Sequence, residues 1–495
     1  MGATVNPSGG IAMAGGDTFP GGSLSNFGLN LSSHHPVSFS FSDALPNSEL
    51  VSTLPPNLTF GNTDEVHCTT CHDPHKDNYG KFLLMDHRYS ALCTSCHQIN
   101  GWESSLHATS TASVTGILPI PPKTWPAWTQ LNEWGCQVCH TPHFASTPEG
   151  LLNFTSSPPT PFSCTTSGCH SSEPPGIHAQ SVPAQATGRS ASTVAMADIA
   201  GQIRKTSGHH EPLDFAGSVR GMEISERASI RSVTCADCHN PHLATKQNAV
   251  APYVSGRLQG VTGVDRNGAG VSTAAYEYEI CFKCHSDITP DLDYVPRVIS
   301  TTNTRLAFDP SNPSYHPVIE MGKNFNIPSI PSSLQPGMNV SQMIYCSSCH
   351  SDDAENSRGP HGSTFSPILK EKYETVDGTS ESYDNYALCY RCHDRESILR
   401  DSSFRKKVNH RASSGGGHSG HLAAGAACSS CHDPHGVNAT QTEQSGSHTH
   451  LINFDTRFVL PKPGNQYPLF NDTGTFSGGC TLVCHGVTHN NLSYP

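Results

Sequence analysis

The chain is poor in what usually builds a large soluble domain. Only 35% of its 495 residues belong to the hydrophobic set and only 14% are charged. Average soluble proteins have roughly 45–50% apolar residues, counting glycine, and about 25% charged ones. One large aliphatic core is therefore excluded. No stretch approaches the ~18 consecutive apolar residues of a membrane-spanning helix, so no transmembrane segment is expected. The 43 Gly and 37 Pro argue against long bundles and coiled coils, because both residues break helices. Positive charge is scarce too: 29 Lys and Arg stand against 41 Asp and Glu, a formal net charge of −12. That sign argues against nucleic acid or anionic membrane as a partner. Length alone suggests about three domains. What the chain has instead is 20 Cys and 30 His, and these must organise its interior.

Every Cys belongs to a pair, and every pair is followed at once by His. Eight read C-x-x-C-H: Cys68/Cys71/His72, Cys93/Cys96/His97, Cys136/Cys139/His140, Cys235/Cys238/His239, Cys281/Cys284/His285, Cys346/Cys349/His350, Cys389/Cys392/His393 and Cys428/Cys431/His432. Two are stretched, Cys164/Cys169/His170 by four intervening residues and Cys480/Cys484/His485 by three. C-x-x-C-H is the attachment motif of c-type haem. The thiols form thioethers with the haem vinyl groups, and the following His sits under the iron as proximal ligand. A longer spacer still serves if its loop bulges. Disulfide frameworks have no need of the repeated His, zinc ribbons accept many residues after the second Cys, and thioredoxin-like motifs occur once, near a βαβ pattern. The cofactor read from the motifs is haem c, ten copies, all covalent.

On these motifs the chain resembles the multihaem c-type cytochromes with doubled C-x-x-C-H, electron-transfer proteins of the outer surface and periplasm of metal-respiring bacteria. The resemblance covers nearly all of residues 34–489. It implies an electron carrier or conduit and not an enzyme, with terminal metal reduction as an added activity. It implies redox-partner cytochromes, metal ions or mineral surfaces as partners. It also brings in self-association into filaments, where His of one subunit caps haem of the next. A soluble shuttle or a porin-bound conduit fits the same features. Multihaem reductases for nitrite, hydroxylamine or sulfur oxyanions are the alternative. They keep one open iron, often with Lys in place of the motif His, and no C-x-x-C-K occurs here.

Twenty His remain once the ten proximal ligands are set aside. A neutral imidazole is the obvious sixth ligand, since Lys is protonated and only eight Met exist. Four motifs continue as C-H-x-P-H, giving His75, His143, His242 and His435. A three-residue tether spans at most ~10 Å, too short to pass round the porphyrin edge, so such a His must serve a different haem. An order repeats five times: upstream His, motif, downstream His, motif. The upstream set is His35, His107, His210, His316 and His421; the downstream set is His75, His143, His242, His361 and His435. The expectation is that, within each module, the upstream His caps the first haem and the downstream His the second. His361 departs, lying eleven residues after His350. His34, His209 and His418 rival His35, His210 and His421. The other spare His, namely His67, His87, His178, His410, His448, His450 and His489, read as exposed or packing residues.

The repeat predicts five haem-pair modules, 34–100, 101–186, 187–289, 290–408 and 409–495, behind a Gly/Ser-rich arm, 1–33. The expected fold class is mostly irregular, with short helices and a few short strands, elongated around a chain of ten haems. Motifs such as YEICFKCH and YALCYRCH should open or end helices, and HLINFDTRFVL should form a strand or hairpin. Porphyrin faces supply the missing core, with Trp125, Trp128 and Trp134 packing near the third motif. Propionates and ferric centres would bring the oxidised holoprotein to about −22 and the reduced form to about −32. The basic run Arg400, Arg405, Lys406, Lys407 and Arg411 reads as a propionate partner or solvated loop. Haem c is attached outside the cytoplasm, so an exported, mature chain is expected, extracellular or periplasmic, with no Cys left for a lipid anchor.

Overall fold

The computed structural model describes chiefly residues 30–53, 64–114, 128–152, 197–209, 233–286, 295–323, 334–400, 417–438 and 446–494, with short gaps inside these ranges. Phe27, Cys164, Cys169 and His170 are described besides. Most of this backbone is loop, joined by helices of one turn and a few short strands. The chain divides into two compact units, each considered by itself. The first holds 1–197 with 212–214 and 241–245, and the second holds 198–211, 215–240 and 246–495. The chain thus passes between them at Asn240–Pro241, inside the C-H-x-P-H of the fifth motif.

Among the described helices the longest is Glu277–His285, nine residues ending in its own motif His. Its start is fixed by Glu279, whose carboxylate accepts from the Ala275 and Tyr276 amides at 2.7 and 3.1 Å, satisfying donors that a helix N-terminus leaves open. Its buried Tyr278 and Phe282 pack with Phe308, Tyr315, Val318 and Ile319. Other motifs form one turn only, as in Cys68–Cys71, Cys235–Cys238 and Cys428–Cys431. An isolated turn of that length is not stable alone; here each is anchored at both ends by the chain.

Sheet structure concentrates at the C-terminus. Ser477–Cys484 pairs antiparallel with Val487–Tyr494, Leu469–Gly474 and Val459–Leu460. Phe454, Val459, Phe470 and Leu482 form the core beside it. Within HLINFDTRFVL only Val459–Leu460 is strand. Asp455 blocks the rest, accepting from the Arg457 amide at 2.9 Å and turning the chain. Near the third motif Trp134 is buried and donates through Nε1 to the Trp128 carbonyl at 3.1 Å. Val114 and Val138 pack against it with Cys139. Trp125 lies outside the described residues. Of the basic run only Arg400 is described, in an ion pair with Glu396 at 3.2 Å.

Candidate metal centres

The motif turn presents its three reactive groups together. In eight motifs the amide of the motif His donates to the carbonyl of the first Cys, at 2.8–3.1 Å. The stretched Cys164–His170 motif keeps this closure, His170 N to Cys164 O, at 3.1 Å. Cys480–Cys484 behaves differently. It lies within the strand Ser477–Cys484, and His485 follows at a hairpin turn.

Nine of the ten motif His rings face a second imidazole. In the first compact unit the pairs are His97 with His35 at 6.3 Å between ring centres, His72 with His143 at 6.2 Å, His170 with His107 at 6.5 Å and His140 with His242 at 6.0 Å. In the second they are His285 with His209 at 6.1 Å, His239 with His361 at 6.2 Å, His393 with His316 at 6.4 Å, His350 with His435 at 5.9 Å and His432 with His418 at 6.2 Å. A tenth pair, His421 with His489, stands at 6.2 Å. Two imidazoles bound trans to one metal, each at roughly 2 Å through nitrogen, have ring centres about 6 Å apart. The residues therefore fit a six-coordinate haem iron at each pair. Among the described residues no cluster of three or more His, Cys, Asp or Glu could hold a metal by itself.

The pairing differs from the order expected along the chain. His35, His107 and His316 face the second motif of their own module, not the first. His143, His242, His361 and His435 face the first motif of the module before their own. His75, expected to cap the Cys93 haem, has a side chain 90% exposed beside Asp73, and no ring faces it among the described residues. His209 takes the place expected for His210, which lies outside the described residues. His418 and His421 both face rings, from one helix, His418–Ala423.

The backbone explains the exchange. In modules one to four the upstream-His segment lies against the Pro–His segment of the next module. His35 N donates to Pro142 O at 2.7 Å and Leu106 N to Ala244 O at 2.7 Å. Strand Ser207–Gly208 pairs with Gly362–Ser363, and Tyr315 with Gly436. The proline carbonyl meets the neighbouring imidazole: His107 Nδ1 lies 3.0 Å from Pro241 O, His209 Nδ1 2.8 Å from Pro360 O, and His316 Nδ1 bonds Pro434 O. After His361 and His435 a glycine permits this approach. A Cβ at Gly362 would stand 1.9 Å from Gln202 O, and at Gly436 2.2 Å from Ala307 O.

The first motif His of each module has its own carbonyl partner through Nδ1. These are Lys81, Gly150, Arg257, Pro367 and His450. Two residues after four of these carbonyls an aliphatic residue bridges back to the motif His: Leu83, Leu152, Leu369 and Ile452. Such contacts orient a ligand and raise its basicity. The sequence signal was available, in the runs KFL, GLL, PIL and HLI, but its spacing from the motif varies from nine to eighteen residues.

His361 takes a carboxylate in place of a carbonyl, Asp352 Oδ2, at 2.9 Å from its Nδ1. Asp352 is fully buried. Burial pushes its carboxyl up, but bonds from His361, Ser357 and the Gly362 amide outweigh that and hold it below the ordinary value. Among the paired rings, burial pushes His143, His285, His393, His432 and His435 down to about 4. Neighbouring His add to the effect. They are thus neutral at physiological pH, the form that binds iron. Of the spare His, His34 Nδ1 lies 3.4 Å from His143 Nδ1. His448 Nδ1 lies 2.7 Å from Ile452 O and His450 Nε2 3.2 Å from Asp472. His67 pairs with Glu65 at 3.4 Å, and the ring of buried His87 lies tilted against Trp128 at 4.6 Å between ring centres. His178 and His410 lie outside the described residues.

The cysteines add an order. The thiols of Cys93 and Cys136, Cys281 and Cys346, and Cys389 and Cys428 are hydrogen-bonded to one another, joining the second motif of one module to the first of the next. Within modules Cys71 neighbours Cys96, Cys139 neighbours Cys169, and Cys238 neighbours Cys281 and Cys284. Cys349 likewise neighbours Cys389 and Cys392, and Cys431 neighbours Cys480 and Cys484.

Residues 61–100, which hold the first two motifs, match a family model described as a doubled CXXCH motif. No curated protein and no solved structure matches the chain. The match supports a multihaem c-type cytochrome with covalently bound haem c, and through it an electron-transfer role. Haem c is attached outside the cytoplasm, and no described helix is long and apolar enough to cross a membrane.

Proposed function

We propose that the chain is an electron conduit of ten covalent haems, each held between two imidazoles, running in sequence order through each compact unit. The ten ring pairs, 5.9–6.5 Å apart, carry this reading. Haem supplies the one-electron redox step. The protein's own work is positional. Cysteines fix each ring, backbone carbonyls aim many of the imidazoles, and burial keeps His143, His285, His393, His432 and His435 neutral. Two axial imidazoles leave no place for substrate, which favours a carrier over a nitrite, hydroxylamine or sulfur-oxyanion reductase.

In this reading the chain serves extracellular or periplasmic respiration, passing electrons to partner cytochromes, metal ions or mineral surfaces. Its negative charge suits cationic and basic partners. A filament form is part of the proposal, and exposed His75 is the feature that supports it. His75 sits in the same Pro–His context as the four facing downstream His, yet it points to solvent. Haem mass per chain, low-spin electron paramagnetic resonance and carbon monoxide binding test the core reading. Ten haems, all low-spin and unreactive, are expected; one CO-reactive haem would turn it to the reductase. Electron microscopy tests the filament, and discrete particles at every concentration would remove it.

A further inference from the structure

We infer that the tenth iron, at Cys480 and Cys484, takes His421 and His489 as its axial pair, and that motif residue His485 is not a ligand. The inference rests on the ten-haem reading and departs from the motif rule on which that reading was built.

A motif His becomes proximal because a tight turn swings it under the ring its cysteines hold. Eight motifs show that turn as a bond from the His amide to the first Cys carbonyl, and His285 ends a regular helix. The tenth has no such turn. Cys480 and Cys484 belong to an extended strand. At about 3.3 Å per residue their Cα atoms stand roughly 13 Å apart. The strand then reverses through His485 and Gly486, since Cys484 pairs with Val487. Both turn residues have positive φ, +51° and +74°, the signature of a tight hairpin turn, and His is among the residues that tolerate it. His485 is thus carried to the hairpin tip, where its Nε2 lies 3.3 Å from Asp377 Oδ1.

The returning strand supplies another imidazole. His489 pairs directly with Leu482. Directly opposed residues share a face, and alternate residues of one strand do so too, so Leu482 lies on the face of Cys480 and Cys484. His489 therefore projects on the cysteine side. Across from it stands His421, at 6.2 Å and 23° between ring planes, the same spacing as the other nine pairs. His421 is oriented by its Nδ1, 2.7 Å from Gly417 O.

The test uses the exported, haem-loaded chain with His489→Ala, His421→Ala and the double variant. Readouts are haem mass, thiol alkylation, electron paramagnetic resonance and CO binding after reduction. Each single variant is expected to keep ten haems and convert one to a CO-binding form, with nine unchanged low-spin haems reporting an intact fold. The double variant is expected to disturb that same haem and no second one. Ten haems with an unaltered spectrum in His489→Ala would overturn the ligand assignment alone. Nine haems in the unsubstituted chain, with Cys480 and Cys484 both alkylated, would overturn the ten-haem reading and the assignment with it.

Discussion

In modules one to four the two distal rings of a haem pair come from two modules, held side by side by backbone pairing, as His316 N to His435 O at 3.2 Å. In module five the imidazoles that face one another all come from the module itself. It closes itself: His418 and His421, three residues apart on one helix, face its two sites. Each of the first four modules thus has a motif His facing an imidazole of the next, whereas the facing pairs of the last lie among its own residues. In the first module His75, the residue in the same Pro–His position, is exposed beside Asp73.

The largest effects should come from cutting that interlock. His143→Ala should leave the Cys68 haem five-coordinate while the Cys136 haem keeps its spectrum, although His143 follows the Cys136 motif. His75→Ala should change no haem of the isolated chain. Site-resolved resonance Raman or CO binding checks both, and a disturbed Cys93 haem in His75→Ala would restore the simple within-module order. His418→Ala should disturb the Cys428 haem of its own module, a local effect with no counterpart in modules one to four.

A second contrast is spectroscopic. First-motif pairs of modules one to four have nearly parallel rings, 13–29° apart, while second-motif pairs are crossed at 52–76°. Parallel imidazole planes split the iron orbitals they overlap; crossed planes leave them nearly equal in energy. Two families of low-spin signal should therefore appear in the oxidised protein, and a single uniform family would break the comparison. A smaller change is expected from Asp352→Asn, which removes the carboxylate behind His361. A buried negative charge favours the more positive ferric state, so the substitution should raise the potential of the His239/His361 haem, read by potentiometric titration.

The smallest effect concerns acid stability. Burial pushes Asp353 up, but bonds from Lys205 and Thr364 outweigh it and bring its carboxyl down to about 2 from an ordinary 3.8. A depressed carboxyl stabilises the fold above its unfolded-state value and loses that contribution as pH falls through the folded one. Asp353→Asn should cost about 2 kcal/mol or less at neutral pH, with the gap to the parent chain closing between about pH 4 and 2 in acid-unfolding curves.

Much of each centre was legible because its chemistry is local. Two thiols and an imidazole within five residues specify an attachment turn wherever the chain goes. The short H-x-P-H tether limits backbone reach, and His143 and His242 face His72 and His140, not the His of their own motifs. Which haem was not legible. Reach excludes a partner without choosing one, and the pairing of Tyr315 with Gly436 or of strand Ser207–Gly208 with Gly362–Ser363 has no periodic pattern to announce it. His489 was passed over because nothing local distinguishes a strand His from a surface one.

The sequence by itself determined the kind of cofactor, since covalent chemistry is written in adjacent residues, and named the Cys pairs and following His as candidates to hold it. Tertiary structure decided the opposite axial face. That ligand must reach the iron from the side its own motif cannot touch. Only the packing of distant, loop-rich segments brings His35 to His97, His418 to His432 and His421 to His489.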